Sequence, residues 1–209
     1  MTKFISHSTI SRMLCIETIC VENRELKNLA YHEARLNRTR QELWGYQDQW
    51  DLAEMIEVPD SVDNTIHKCR VAYDREIDNI KWEPYLQRPI KKLKRVYHNS
   101  VDYSYKYDQR DELNTLFAQR EEADDILIIK NGWVTDSFYC NVAFSDETGW
   151  YTPNTYLLPG TQRAFLLDQG IIQEREISET DIFTYDSVKL FNAMVSWEQA
   201  PVIDVRMID

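Results

Sequence analysis

The chain has 209 residues, with a hydrophobic share of 43% and a charged share of 28%, proportions that are ordinary for a globular protein. Lysine and arginine number 24 against 35 aspartates and glutamates, so the formal net charge is -11. Nucleic acids and anionic membranes are bound chiefly through basic side chains. The composition therefore argues against both as partners, and it predicts that any bound phosphate is held by a few well-placed donors.

No targeting segment, disulfide framework or metal motif is predicted. Residues 1–21 contain no unbroken apolar stretch, and no other run has the length that a membrane span needs. The four cysteines lack CxxC spacing and lie among apolar residues, so we expect reduced thiols in a cytoplasmic protein. The four histidines are scattered along the chain, which argues against a zinc site.

The predicted elements place helices early in the chain and most strands late. They are a strand over 13–21, helices over 29–44 and 48–56, strands over 69–74, 77–82 and 93–107, a helix over 108–120, strands over 126–129 and 133–144 around an Asn131-Gly132 turn, and helices over 160–170 and 181–185. This order predicts an α+β fold with a small N-terminal lobe, residues 1–75, and a larger β-rich lobe, residues 76–209.

Lys106 is the first candidate for chemistry, because it lies between Tyr105 and Tyr107 at the predicted end of a strand. Burial among aromatic side chains lowers the pKa of a lysine, and a neutral amine can attack a carbonyl group to form a Schiff base. The alternative is a surface lysine whose stem lies over tyrosines, and this window alone favours that alternative.

Three other positions have the residue types to hold an ion. Asp136 lies in an apolar strand, where its carboxylate could pair with a cationic ring nitrogen or cap a turn. Gly160 and Thr161 lie at a strand-to-helix junction, and the free amides at a helix N-terminus bind anions. Arg35 lies on the first predicted helix, where it either holds an anion or faces solvent.

Several short segments recur in a fixed order along the chain. They are HEARL at 32–36, Lys106 with Arg110 four residues later, VTDSFYCN at 134–141, TP at 152–153, LPGTQR at 158–163 and NAM at 192–194. Together they resemble the class IV aminotransferase family of pyridoxal 5'-phosphate enzymes over about residues 13–203, and most nearly its aminodeoxychorismate lyase-like members. The resemblance implies the two-lobe α+β fold of fold type IV, as in D-amino-acid aminotransferase.

The resemblance also implies a role for each motif position. Lys106 takes the place of the Schiff-base lysine, and Arg35 that of the phosphate-binding arginine. Asp136 replaces the family's glutamate beside the pyridine nitrogen and is one methylene shorter. Gly160, Thr161 and Gln162 match the turn whose amides complete the phosphate site, and Asn192, Ala193 and Met194 match a late loop near the phosphate and the substrate carboxylate. Ser6 to Arg12 stand where family members usually have a first hairpin.

The implied activity is that of a cytoplasmic homodimer acting on a small amino substrate. An aminodeoxychorismate lyase of folate biosynthesis would eliminate pyruvate from 4-amino-4-deoxychorismate and release 4-aminobenzoate. A branched-chain or D-amino-acid transaminase would use the same lysine and cofactor, and a shortened, non-catalytic binding protein is a further alternative. Arg70 and Arg75 either hold a substrate carboxylate or form surface salt bridges.

Overall fold

The structure is a computed structural model that describes residues 13–209. Three β-sheets and four α-helices make up this part of the chain, together with three short 3-10 helices. The arrangement is a sheet-rich α+β fold, which confirms the predicted fold class. Ser6 to Arg12, the predicted replacement for a first hairpin, lie outside the described residues.

The first sheet is antiparallel and has four strands in the order β2-β1-β3-β4. Its strands are β1 (Cys15–Glu22), β2 (Glu25–Leu26), β3 (His67–Tyr73) and β4 (Ile77–Pro84). Helix α1 (Leu29–Trp44) packs its buried Leu36 against Ile19 and Val71 of this sheet. Gly45 ends α1 in the left-handed conformation, with φ of 76°, which glycine adopts without steric strain. A one-turn helix, α2 (Leu52–Met55), follows.

Strand β4 pairs with β3 from His67 to Tyr73 and so continues the first sheet beyond Arg75. The division into lobes of residues 1–75 and 76–209 stays a prediction. The segment between Pro84 and Leu93, which follows β4, contains no strand.

The rest of the chain forms two further sheets, which share one of the hydrophobic clusters of this part. The three-stranded sheet has β6 (Asp125–Lys130) between β5 (Leu93–Tyr97) and β7 (Trp133–Ser137). The five-stranded sheet consists of β8 (Asn141–Asp146), β9 (Gly149–Pro153), β10 (Gln173–Arg175), β11 (Ser187–Phe191) and β12 (Val202–Asp204). Its strand order is β10-β9-β8-β11-β12. Helices α3 (Asp111–Phe117) and α4 (Thr161–Asp168) lie between strands in the chain. Leu127 of the first of these sheets and Phe144 and Val188 of the second are fully buried in a shared cluster.

Two predicted strands are too long. The strand predicted over 93–107 ends at Tyr97, and the residues up to Tyr107 form an irregular connection. The strand predicted over 133–144 is interrupted at 138–140, where the Ser137 amide donates to the Cys140 carbonyl at 2.9 Å. Both departures place aromatic side chains in turns, although β-propensity alone favours strands for such residues.

Within residues 13–209, no helix combines the length and apolar character that a membrane span needs. No group of three or more His, Cys, Asp or Glu side chains in the same range is arranged to hold a metal ion. Cys15, Cys20, Cys69 and Cys140 are all free thiols.

Candidate active site

A cavity of about 580 Å³ lies between the first sheet and the C-terminal part of the fold. Its volume is in the range of sites for small molecules and cofactors. The structure brings all of the predicted site residues to its wall: Arg35, Lys106, Asp136, Gly160, Thr161, Gln162, Asn192, Ala193 and Met194. These residues come from five separate segments of the chain, so the cavity is a product of the tertiary fold.

Lys106 lies in the irregular connection after β5 and not at a strand end as predicted. Its backbone is fixed against β1, because the Ile16 amide donates to the Lys106 carbonyl at 2.8 Å and the next residue, Tyr107, bridges to Cys15. Burial in the cavity wall and the positive charges of Arg35 and Arg110 lower the pKa of Lys106 to about 7. This lowering favours the unprotonated, nucleophilic form of the amine.

Arg35 is held by a buried carboxylate, Glu17, which lies on β1. Its Nε donates to Glu17 Oε1 at 2.8 Å, and its NH2 donates to Glu17 Oε2 at 2.5 Å. Burial alone would raise the pKa of Glu17, but Arg35 and His32 outweigh it and lower that pKa to about 2. The remaining guanidinium nitrogen, NH1, is 3.4 Å from the Pro159 carbonyl oxygen and lies beside the segment that leads into α4.

His32 extends this buried pair to the start of α4. Burial lowers the pKa of His32, which favours the neutral ring. Its Nδ1 lies 2.6 Å from Glu17 Oε2 and its Nε2 lies 3.3 Å from the hydroxyl of Thr161. A neutral ring that donates from Nδ1 can accept from Thr161 at Nε2. The carboxylate that fixes Arg35 therefore also positions the first turn of α4.

Gly160 precedes α4 and is required there by space. Its φ of -67° suits any residue, but a Cβ at this position would lie 1.9 Å from Oδ1 of Asn141. That amide is not free to move, because its Nδ2 donates to Asp136 at 2.8 Å and to the Leu158 carbonyl at 3.0 Å. Since the first amides of a helix have no partners within the helix, the α4 N-terminus at Thr161 and Gln162 offers an anion site on the cavity wall.

Asp136, on β7, is a carboxylate of the cavity wall and is 6% exposed. Its Oδ2 accepts from the amides of Leu157 and Leu158, each at 2.9 Å, and its Oδ1 accepts from Asn141. Burial raises the pKa of Asp136 to about 6, against these neutral donors. A cationic donor in the cavity would favour the ionised form of this group.

The loop of Asn192 is held by its own side chain. Asn192 Nδ2 donates to the Tyr139 carbonyl at 3.3 Å, and its Oδ1 accepts from the Met194 amide at 2.8 Å. Asn192 thus ties this loop to the turn at 138–140.

Three residues of the site were not predicted as site residues from the sequence. Glu17 is an acid inside an apolar run, His32 lies one helical turn before Arg35, and Asn141 follows Asp136 by five residues. A charged residue in a predicted buried strand was the available signal for Glu17, because such a residue needs a partner. Of the two arginines with open roles, Arg70 lines the cavity and pairs with Asp108, whereas Arg75 is exposed and outside the lining.

The donor set suits pyridoxal 5'-phosphate. A nucleophilic amine matches an aldehyde, an arginine beside a helix N-terminus matches a phosphate, and a buried carboxylate matches a protonated ring nitrogen. Lys106, Arg35 with α4, and Asp136 supply these groups from different parts of one wall. The match to pyridoxal 5'-phosphate therefore rests on the chemical type of each of these side chains and on the fold that brings them to one cavity.

The class of protein follows from comparison with known families. The amino-transferase class IV family matches residues 14–202, and the chain belongs to this family of pyridoxal-phosphate-dependent enzymes. An uncharacterised protein of Haemophilus influenzae is 40% identical over 180 residues, which are 85% of this chain and 96% of the relative.

Solved structures give the same fold. A candidate 4-amino-4-deoxychorismate lyase from Haemophilus somnus 129PT is 34% identical with a TM-score of 0.83, covering 88% of this chain and 97% of that one. A hypothetical aminotransferase from Mycobacterium tuberculosis in its PLP-bound form is 15% identical with a TM-score of 0.71, covering 94% of this chain and 81% of that one. The fold is therefore that of the fold-type IV aminotransferases.

Proposed function

We propose that this protein binds pyridoxal 5'-phosphate and eliminates pyruvate from 4-amino-4-deoxychorismate to release 4-aminobenzoate. The observation that carries the proposal is Lys106, whose pKa is lowered to about 7 in a cavity that also holds Arg35 and Asp136. The likeness to the candidate lyase of Haemophilus somnus supports this reaction over transamination. We further propose a cytoplasmic homodimer that serves folate biosynthesis, and sedimentation of the purified protein tests the dimer.

Each end of the site has a separate task in this proposal. Arg35, oriented by Glu17, and the α4 amides of Thr161 and Gln162 bind the phosphate. Asp136 keeps a proton on the ring nitrogen, and this positive nitrogen would raise the ionised fraction of the carboxylate. When bound, the cofactor supplies an electron sink for charge that develops at the reacting carbon.

Lys106 is the residue that moves protons. Its neutral Nζ can take the proton from the substrate carbon that carries the amino group, because a base acts best when its pKa is near the working pH. The same nitrogen, once protonated, can donate that proton to the departing enolpyruvate as its carbon–oxygen bond to the ring breaks, so that the ring becomes aromatic and the leaving group is released as pyruvate. Arg35 and Arg110 assist by keeping the resting amine unprotonated.

The decisive experiment is to trap the cofactor on the chain. Borohydride reduction of the reconstituted enzyme followed by peptide mapping should place the pyridoxyl group on Lys106. Lys94 and Lys130 serve as internal controls, since Lys94 pairs with Glu121 and Lys130 donates to the Val101 carbonyl. A label on either of these lysines, or no visible absorbance after reconstitution, would refute the assignment.

A product assay separates the reactions. The enzyme should release pyruvate and 4-aminobenzoate from aminodeoxychorismate, and Lys106→Ala should remove this activity. Formation of a keto acid from a branched-chain or D-amino acid without pyruvate release would favour the transaminase alternative.

A further inference from the structure

The cavity is a basic site on an acidic protein. Six of the side chains that line it are basic: Arg35, Lys68, Arg70, Arg88, Lys106 and Arg110. Two acids, Asp108 and Asp136, lie in the same lining, whereas the whole chain has a formal net charge of -11. Such a local excess of positive charge attracts anionic ligands into the cavity.

Three of these cations already have carboxylate partners. Glu17 holds Arg35, Glu83 pairs with Lys68 at 2.6 Å, and Asp108 pairs with Arg70. Within residues 13–209, Arg88 and Arg110 form no such ion pair, and each instead uses its donors on neutral oxygens. These two guanidinium groups therefore carry charge that the protein itself does not compensate by contact.

Arg88 and Arg110 flank one aromatic wall. Arg110 donates to the Phe138 carbonyl, and its guanidinium carbon lies 4.5 Å from the centre of the Phe138 ring. Arg88 donates from Nε to the Tyr139 hydroxyl at 2.7 Å, and its guanidinium carbon lies 5.3 Å from that ring. The two rings are neighbours in the turn at 138–140, with centres 5.2 Å apart.

The two arginines also differ in depth. Arg110 is half-buried and lines the cavity together with Lys106, and among residues 13–209 its buried Nε has no acceptor. Arg88 is exposed at the cavity edge. A buried donor without an acceptor is unfavourable unless a ligand or water satisfies it. Burial raises the pKa of Asp125 to about 6, and the charges of Arg88 and Arg110 only oppose that rise; its Oδ1 accepts from the amides of Ile126 and Phe138, and it is not part of the lining.

We propose that Arg110 and Arg88 determine substrate specificity by binding two carboxylates of one substrate, with the substrate's apolar frame packed on Phe138 and Tyr139. The inner arginine takes the carboxylate nearer the reactive amine, and the outer arginine takes the second one. The substrate class is thus a dicarboxylate on a flat or apolar frame. The proposal rests on the proposed function in treating this cavity as the substrate site.

Terephthalate and benzoate test this arrangement, because they share one ring and differ by one carboxylate. Calorimetry on the cofactor-loaded enzyme should show tighter binding of terephthalate by at least about tenfold, the lower range for a hydrogen bond to a charged group. Arg88→Met and Arg110→Met should each remove that preference, and Arg88→Lys should retain part of it.

The matched control is Arg120→Met. The Arg120 guanidinium carbon lies 4.2 Å from the centre of the Phe117 ring, which stacks on Phe138, but Arg120 is outside the cavity lining. It should keep the preference for terephthalate. Equal affinity of the native enzyme for both acids, or a full preference in either Arg88→Met or Arg110→Met, would overturn the proposal.

Two readouts separate this proposal from the proposed function. Arg88 is exposed, so Arg88→Met should fold normally and keep the borohydride label on Lys106. If native protein shows no label on Lys106 yet prefers terephthalate, the assigned reaction fails while the two arginines keep their role. If Lys106 is labelled and the preference is absent, the arginine assignment fails alone.

Discussion

Glu17 and Asp136 are two buried carboxylates of the site, the first bonded to Arg35 of the cavity wall and the second part of that wall itself, and the protein shifts their pKa values in opposite directions. Glu17 is fully buried beside Arg35 and His32, and its pKa is lowered to about 2. Asp136 is 6% exposed and accepts only from neutral donors, and its pKa is raised to about 6. Burial acts in the same direction on both, so the charge of the partners decides the outcome.

The difference in pKa distinguishes a carboxylate with a structural role, Glu17, from one whose protonation can change, Asp136. Glu17 is ionised at all ordinary pH values and keeps Arg35 in one orientation. Within residues 13–209, Asp136 forms no ion pair, although the charge of Arg163 opposes the effect of burial on its pKa, so a protonated ring nitrogen would be the first cation in contact with it. Pairs of titratable groups whose pKa values are shifted in opposite directions are typical of active sites, where one group stays charged and the other gains or loses a proton.

Removing the fixed anion should have the largest effect. Glu17→Gln leaves the Arg35 charge buried without compensation, and breaking a buried pair in this way costs about 3–5 kcal/mol. The free energy of unfolding in urea measures the loss. Glu25→Gln is the control, because Glu25 is exposed on β2 and pairs with Lys27 at the surface. Equal stability of the two variants would mean that Glu17 does not hold the first sheet and α1 together.

The pH dependence of stability should have opposite signs at the two acids. Glu17 has the lower pKa in the folded state, so its stabilisation is present above about 4.5 and is lost as pH falls towards 2. Asp136 has the higher pKa in the folded state, so stability is lost as pH rises from 3.8 to about 6.

Urea unfolding of the cofactor-free protein from about pH 3 to about pH 7 measures both effects. The stability difference between native protein and Glu17→Gln should grow with pH in the acid range. The difference between native protein and Asp136→Asn should shrink with pH in the next range. Slopes of the same sign would contradict the contrast between these residues.

The chemical groups of the site were predictable from the sequence because they lie in ordered motifs. Lys106, Asp136 and the turn at Gly160 all reached the cavity as expected. Their roles in binding and catalysis stay predictions. What local pattern could not supply is pairing across the fold, since Glu17 acquires Arg35 and His32 only when α1 packs on β1.

Element boundaries failed where tertiary contacts override local preference. The run over 133–144 is rich in aromatic and β-branched residues, which favour strands, yet it turns at 138–140, and Asn141 donates to Asp136 across this turn. β11, SVKLF at Ser187–Phe191, was not predicted at all, because its five residues gain their strand conformation by pairing with β8 and β12. Five residues carry too little periodicity to indicate a strand on their own.

The next largest loss of stability is expected from a substitution at Gly160, where the backbone lies close to Asn141. Gly160→Ala places a methyl group against Asn141, whose amide holds Asp136, and overpacking of this kind costs about 1–3 kcal/mol. Adding Asn141→Ala removes the colliding oxygen, so the double variant should be no less stable than Asn141→Ala alone. This non-additivity in a double-mutant cycle is the diagnostic result. Additive losses would show that the turn tolerates a side chain and that its glycine is dispensable.

The smallest effect is expected at His32, the neutral link between the fixed anion and α4. His32→Gln can still donate one hydrogen bond to Glu17, but a single amide cannot also reach the Thr161 hydroxyl at the place of Nε2. The loss should be about 1 kcal/mol, the usual net value of a neutral hydrogen bond. Thr161→Val removes the same contact from the other side, and the two substitutions together should cost less than their sum.

Cofactor affinity should fall in both variants, because the α4 N-terminus is then less firmly placed beside Arg35. If His32→Gln weakens cofactor binding and Thr161→Val does not, the effect passes through Glu17 and Arg35, and the link to α4 has no part in it.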